Sequence, residues 1–356
     1  MDLKRSIFIA VVIAILYSVV IFIGQSTTSP LVILTSMIAT TISVATPLTL
    51  GALCGTFCER SGVTNIGIEG MMLSAAFFGW LSSIYLNSIV HLDPMSSLIL
   101  GVVIAVLTGG LLGLLHAWLS ITFKVDQVIS GTVINILATG VTGFLNRQLF
   151  FEKVSIFGGN VPHAPGILPI IAIPGLSQIP VFGKIFEQQP IAWLAIILVF
   201  VSNFVLFRTR WGLRTRAVGE HPRAADTVGI NVSYMRYMNV IIGGLLAGLG
   251  GAYFTLESVP SFEPLMTNGR GFISLAAMIF GNWTPIGAWA AALVFGAAQA
   301  FQINLQFFRD LIPSQWAFLQ QSYIVGLTPY ILTMIILAGL IGRTTSPAAD
   351  GTPYEK

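Results

Sequence analysis

The chain has 356 residues, 55% hydrophobic and only 9% charged, whereas a soluble globular domain carries about 25% charged residues. No single soluble core of this size hides so much apolar surface, which leaves lipid as the solvent for much of it. The net charge of +3 is too small and too dispersed for a nucleic-acid surface.

Apolar stretches long enough to span recur at 6–23, 33–57, 66–86, 97–122, 127–146, 190–207, 235–256, 270–281, 286–306 and 322–342. The expected fold is all-α, a polytopic membrane protein of about ten helices (between 8 and 10), including broken or half-helices. Lys4 and Arg5 precede the first stretch in the manner of a signal peptide. That stretch is too long for such a leader and lacks a small-x-small cleavage site, so it is expected to stay as the first helix. In the second stretch, Cys54 and Cys58 share one helix face. No His or further Cys stands near them, so they are expected to be buried free thiols rather than metal ligands.

Between the second and third stretches lies Glu59-Arg60-Ser61-Gly62-Val63-Thr64-Asn65-Ile66-Gly67-Ile68-Glu69-Gly70. Ionisable groups at membrane depth are expensive and face a partner or a water-filled cavity. Glycine-broken backbone survives there only where it is buried in protein or lines such a cavity. An ordinary interfacial loop with Glu59 and Arg60 paired is the plainer alternative.

Small residues recur at helical spacing in Gly109-x-x-x-Gly113 and in Gly244, Ala247, Gly248 and Gly251. Such stripes let helix backbones approach closely in lipid. The stretch 147–189, with Pro162, Pro165, Pro169, Pro174 and Pro180, is expected outside the membrane. The segment 208–234 holds Arg208, Arg210, Arg214, Arg216 and Arg223, the densest basic cluster. By the positive-inside rule it is cytoplasmic, and so are both termini. Within it Pro222 suits the first turn of a helix and Gly229 the position past its end, giving about two turns outside the membrane. Ala224, Ala225 and Val228 would give that helix a small apolar face in want of a partner.

The eighth stretch is short and opens with Met266-Thr267-Asn268-Gly269-Arg270-Gly271-Phe272-Ile273. Asn268 and the glycines are expected to cap a half-helix whose free amides suit an oxygen-rich solute. The two glycine breaks lie five crossings apart, an offset that inverted-repeat transporters use to build a midplane site. The expected organisation is one transmembrane domain over 1–346 and a cytoplasmic tail over 347–356. No phosphate-loop, zinc-protease or nucleophile-elbow motif occurs. His91, His116, His163 and His221 are scattered.

The stretches Ala45-Thr46-Pro47-Leu48, Glu59 through Met72, Ala217-Val218-Gly219-Glu220 and Gly269-Arg270-Gly271-Phe272-Ile273 together resemble permease subunits of bacterial ABC importers. The resemblance covers roughly residues 33–342 and is strongest to the simple-sugar and nucleoside branch. It implies a multi-pass protein of the bacterial plasma (inner) membrane that carries no cofactor of its own. ATP and Mg would sit on partner ATPase subunits. The implied partners are a second related permease chain, cytoplasmic ATP-binding subunits, an external substrate-binding lipoprotein and lipid, with no nucleic acid. Glu59, Arg60, Thr64, Asn65, Glu69, Asn268 and Arg270 would flank the translocation path. Arg216, Glu220, Pro222, Ala225 and Gly229 would belong to a coupling helix that docks on the ATPase. The implied cargo is a nucleoside, guanosine among them, with a ribose-type sugar as the alternative. An ion-coupled secondary transporter, with Glu69 as proton carrier, is the more remote reading.

Overall fold

The computed structural model describes residues 30–151, 163–180, 182–304, 327 and 344–355. Helices dominate them: α1 (Pro30–Arg60), α2 (Ile68–Ser88), α3 (Pro94–Ala117), α4 (Gln127–Asn146), α5 (Pro190–Arg208), α6 (Arg210–Glu220), α7 (Pro222–Thr227), α8 (Val232–Ala252), α9 (Arg270–Phe280) and α10 (Pro285–Asn304). The chain divides into a larger unit, Thr46–Pro169 with Gln189–Ala292 and Thr345–Lys356, and a smaller one, Met1–Ala45 with Ile170–Gln188 and Leu293–Thr344.

Helix starts follow local chemistry. Asp93 accepts the Ser96 amide ahead of Pro94, and Asp126 accepts those of Val128 and Ile129. Thr209 caps α6 and Asn231 caps α8 in the same way, each oxygen satisfying an amide that no helical carbonyl can reach. α3, α4 and α8 each run on into a π-turn, at Trp118–Thr122, Arg147–Phe151 and Tyr253–Ser258.

Among the described residues six helices are long and apolar enough to cross a membrane: Leu34–Arg60, Pro94–Thr122, Gln127–Phe150, Pro190–Arg208, Val232–Ser258 and Pro285–Asn304. The sixth apolar stretch forms a helix of spanning length, whereas the eighth stays an 11-residue helix at Arg270–Phe280. The first and tenth expected helices lie outside the described residues.

In the larger unit α2 sits at the centre, packed by α3, α4 and α8 and touched by α9. Most of its residues are buried, including Met71, Met72, Phe77 and Ile84. Protein rather than lipid surrounds it, so α2 tolerates Glu69, Ser74 and Ser83. Large apolar side chains such as Leu111, Ile136, Phe144, Ile197 and Phe204 instead stand exposed on α3, α4 and α5, as lipid contact requires.

The small-residue stripes meet each other. A Cβ on Gly109 would lie 2.3 Å from the Gly244 carbonyl oxygen and 2.5 Å from the Gly248 Cα. One on Gly244 would come within 2.5 Å of the Gly109 oxygen. These glycines are consumed by packing between α3 and α8, where close approach supplies the dispersion energy that hydrophobicity cannot supply in lipid.

The smaller unit contains the first half of α1, the end of α10 and the segment 170–188. There β1 (Ile171–Ala172) pairs antiparallel with β2 (Glu187–Gln188), Ile171 opposite Gln188, around a 3₁₀ turn at Phe182–Phe186. Gln188 donates to the Ala39 carbonyl, and Gly296 lets α10 lie against Ala45 of α1.

Candidate functional site

The glycine-broken turn between α1 and α2 is held from several sides. Cys58 and Glu59 carbonyls accept the amides of Ser61, Val63 and Gly62, folding the chain back at the end of α1. Gly62 adopts φ 82°, a left-handed conformation that costs a side chain. Beyond it, the Thr64 amide donates to Gln127 Oε1 at 2.6 Å and the Thr64 carbonyl meets His116 Nε2 at 3.0 Å. Asn135 of α4 takes the Gly70 amide on Oδ1 at 2.7 Å and donates Nδ2 to the Ile66 carbonyl at 3.0 Å. Non-helical backbone at this depth keeps its polar groups only because α3 and α4 supply them.

Asn65 is fully buried and faces inward. Its Oδ1 accepts the Gly67 amide at 3.0 Å, and its Nδ2 approaches the sulfurs of Cys54 and Cys58 at 3.6 Å and of Met71 at 3.7 Å. The two cysteines are buried and free, as their isolation implies. Among the described residues no three His, Cys, Asp or Glu side chains gather in a metal-binding group.

Glu59 and Arg60 do not pair with each other. Glu59 accepts the indole Nε1–H of Trp283, while Arg60 donates Nε to the Trp283 carbonyl at 2.8 Å and Nη2 to that of Asn282 at 3.1 Å. Both side chains hydrogen-bond the turn between α9 and α10. Asn282 and Trp283 hold that turn in positive φ, 52° each, which places the indole and two carbonyls against the end of α1.

Glu69 joins the two glycine breaks. Its Oε1 accepts the Gly269 amide at 2.8 Å and its Oε2 the Gly271 amide at 2.6 Å. The start of α9 was expected to offer free amides to a solute; this carboxyl takes two of them. Asn268 sits in the turn at φ 45° with its amide on the Leu265 carbonyl. Arg270 donates to the Met266 carbonyl and lies 5.3 Å over the Phe254 ring. The seven expected path residues therefore fall into two linked groups, Glu59, Arg60, Thr64 and Asn65 at the turn after α1, and Glu69, Asn268 and Arg270 at the start of α9.

The coupling candidates lie on α6, α7 and the turn after it. Pro222 opens α7, a six-residue helix, and Gly229 follows at φ 82° with open space around it. Ala225 turns inward with Val218, Val232 and Met235. Val228 points out at 74% exposure, so the apolar face expected of this helix is divided between core and surface. Gly219 lies flat against the end of α1: a Cβ there would be 2.2 Å from the Arg60 carbonyl oxygen. Arg216 stacks 5.1 Å from the Phe207 ring centre, and Arg60 lies 5.7 Å from the same ring. Glu220 accepts the Ala348 amide at 3.2 Å.

Sequence reasoning missed Gln127, Asn135, Trp283, Arg236 and Asp350. Arg236 is 1% exposed and donates Nη1 to the Thr352 carbonyl at 2.9 Å. Asp350 accepts from Thr64 Oγ1 at 2.9 Å. Arg236 alone carried a signal, as a charge near the start of an otherwise apolar helix.

Comparison with known proteins follows the same outline. Residues 37–341 match the family described as branched-chain amino acid transport system / permease component. The chain is 43% identical over 330 residues to the guanosine ABC transporter permease protein NupQ of Bacillus subtilis (strain 168), covering 91% of this chain and 98% of that one. It is 38% identical over 330 residues to the nucleoside ABC transporter permease protein NupC of Lactococcus lactis subsp. cremoris (strain MG1363), covering 90% and 96%. A second chain from each bacterium matches at lower identity. NupP, also a guanosine ABC transporter permease protein, is 26% identical over 74% of this chain and 73% of its own. NupB, also a nucleoside ABC transporter permease protein, is 23% identical over 74% and 71%. No solved structure gives a significant match. A chain with six spanning-length helices among its described residues, two coupled glycine breaks and this similarity over nearly its whole length belongs to the permease-component family of the branched-chain amino acid transport system type.

Proposed function

We propose that this chain is the membrane-spanning permease subunit of an ATP-driven importer for nucleosides, guanosine among them, in a bacterial inner membrane. The observation that carries the reading is similarity over 91% and 90% of the chain to two permeases named for guanosine and nucleoside transport. It is a transporter subunit and not an enzyme, and ATP with Mg would be held by separate ATPase chains. Both relatives have a more distant companion in the same organism, which supports a heterodimer of two related permeases as the assembly. A substrate-binding lipoprotein would deliver the solute from outside, and about ten crossings would leave both termini in the cytoplasm.

In this reading Arg216, Glu220, Pro222, Ala225 and Gly229 form the coupling segment. ATP binding closes the ATPases, the movement enters through α7, and the membrane helices open to alternate sides. Glu59, Arg60, Thr64, Asn65, Glu69, Asn268 and Arg270 frame the path. Their hydrogen bonds support a framing role, fixing α9 and the turn after α1, more than direct contact with solute. The same geometry disfavours a proton-driven carrier, since both oxygens of Glu69 are engaged in capping α9.

The test is uptake of radiolabelled guanosine by cells expressing the whole transport operon with and without this chain. Uptake that requires the chain and is competed by unlabelled nucleosides supports the proposal. Competition by ribose and not by nucleosides would move the substrate to the sugars, and uptake indifferent to the chain would overturn the reading.

A further inference from the structure

Residues 345–355 do not trail away from the larger unit. They fold over it through hydrogen bonds and an ion pair to five separate pieces of chain. The Thr345 amide donates to Asn282 Oδ1 at 3.2 Å, in the turn after α9. The Ala348 amide donates to Glu220 Oε2 at 3.2 Å and the Ala349 amide to the Gly219 carbonyl at 2.9 Å, both at the end of α6. Asp350 Oδ1 accepts from Thr64 Oγ1 at 2.9 Å, with the Glu59 carboxyl facing it. The Thr352 carbonyl accepts from Arg236 Nη1 at 2.9 Å. Tyr354 packs on the cluster of Val218, Ala225, Val232 and Met235 that seats α6, α7 and α8 together, and Glu355 pairs with Lys124 at 2.8 Å.

Arg236 makes the arrangement consequential. This guanidinium is buried near the start of α8, and its Nε and Nη2 have no hydrogen-bond partner. Thr352 is its hydrogen-bond acceptor among the described residues, and the Asp350 carboxyl lies beside it. Removing the tail would leave a buried cation without either, at the root of the helix that packs through Gly244 and Gly248 onto α3. On its other edge the tail binds Gly219, whose missing side chain lets α6 rest on the Arg60 carbonyl.

We propose that residues 345–355 are a strap that fastens the α6–α7 segment to the end of α1 and the start of α8, with Asp350 as its pin. Movement delivered to α7 then passes into α1 and α8 as a unit instead of being lost in a hinge at Gly229. Asp350, Thr352 and Arg236 are positioning residues for transport, acting through α6 and α8 and touching no solute. The inference rests on the reading of α6–α7 as the coupling segment.

The experiment uses the whole complex, both permease chains with their ATPases, reconstituted in lipid vesicles with the binding protein. Uptake and ATP hydrolysis are measured on the same preparation for the unaltered chain, Asp350→Ala, and Asp350→Ala carrying Lys124→Cys and Glu355→Cys joined by a short thiol crosslinker. Asp350→Ala is expected to assemble normally yet to lower uptake per ATP hydrolysed about tenfold, within the usual span of coupling energies. The crosslink, by holding the tail in place without Asp350, restores the ratio; a defect of folding alone would not be rescued this way. An unchanged ratio in Asp350→Ala, or a lowered ratio that the crosslink leaves lowered, would overturn the strap. Absence of guanosine uptake by the unaltered complex would count against the substrate reading alone. The strap is then read from hydrolysis, where Asp350→Ala must change the rate and the crosslink return it.

Discussion

Glu69 and Gly271 are 202 positions apart, yet the carboxyl of one accepts the amide of the other at 2.6 Å. The Gly269 amide completes the contact at 2.8 Å. One side chain at the start of α2 thereby terminates α9, an 11-residue helix whose first amides would otherwise be orphaned within protein. Glycine at position 271 is required because a Cβ there would stand 2.6 Å from the Glu69 backbone.

Removing the cap tests this directly. Glu69→Ala is expected to destabilise the protein by about 1–3 kcal/mol, the cost of leaving part-buried amides unpaired at a helix start. Glu69→Gln, which keeps one acceptor and loses the charge, should fall between. Gly271→Ala should match or exceed Glu69→Ala through overpacking. Thermal unfolding of the detergent-solubilised protein, followed by a thiol-reactive dye on buried Cys54 and Cys58, reads all three. Equal midpoints for Glu69→Ala and the unaltered protein would sink the cap.

Glycine positions on α3 and α4 should behave in opposite ways. Gly109→Ala places its Cβ 2.3 Å from the Gly244 carbonyl oxygen, so α3 and α8 must separate, at a cost of about 1–3 kcal/mol or more. Gly143 on α4 has nothing within 4 Å of an added Cβ. Gly143→Ala should be neutral or stabilise by up to about 1 kcal/mol through helix propensity. Comparing the two midpoints in one detergent checks the contrast.

Gly229→Val probes the coupling turn. The position has φ 82° and open surroundings, so the substitution meets backbone strain of about 1–2 kcal/mol and no clash. The expected result is a protein that inserts in membranes at normal level but supports little uptake, with co-purification of the ATPase reduced. Normal uptake by this variant would remove α7 and its turn from the coupling role.

Seating of the tail should depend on pH. Burial raises the Asp350 carboxyl above its ordinary value of 3.8, while Thr64, the facing Glu59 carboxyl and the Arg236 guanidinium pull the other way. A raised value means the seat favours the neutral form. Seating is therefore strongest below that ordinary value and weakens as pH rises through the raised one. Spin labels at positions 124 and 355, an exposed pair worth little to stability, report it. The distance between them should broaden as pH rises above the carboxyl's ordinary value in the unaltered tail. Asp350→Asn should abolish that dependence; a dependence that survives would assign it to another group.

What the sequence determined by itself was everything governed by composition and short spacing. An apolar stretch of spanning length marks a membrane helix, so α3, α4, α5, α8 and α10 could be placed within a few residues. Pro222 and Gly229 bracket α7 because each restricts or frees its own backbone, and the isolation of Cys54 and Cys58 sufficed to make them free thiols. The glycine stripes showed that close packing would occur, without saying between which helices. Tertiary structure alone decided the partners. Glu59 and Arg60, adjacent and opposite in charge, both turn to Trp283 instead of to each other, and the helix start at Gly269 spends two of its amides on Glu69 instead of presenting them to a solute. Residues 345–355 look like a polar end in sequence and become the seat of a buried arginine in the fold. The reason is physical: a hydrogen bond between residues hundreds of positions apart leaves no periodicity, and a buried charge is tolerated only by a partner that the chain brings to it through folding.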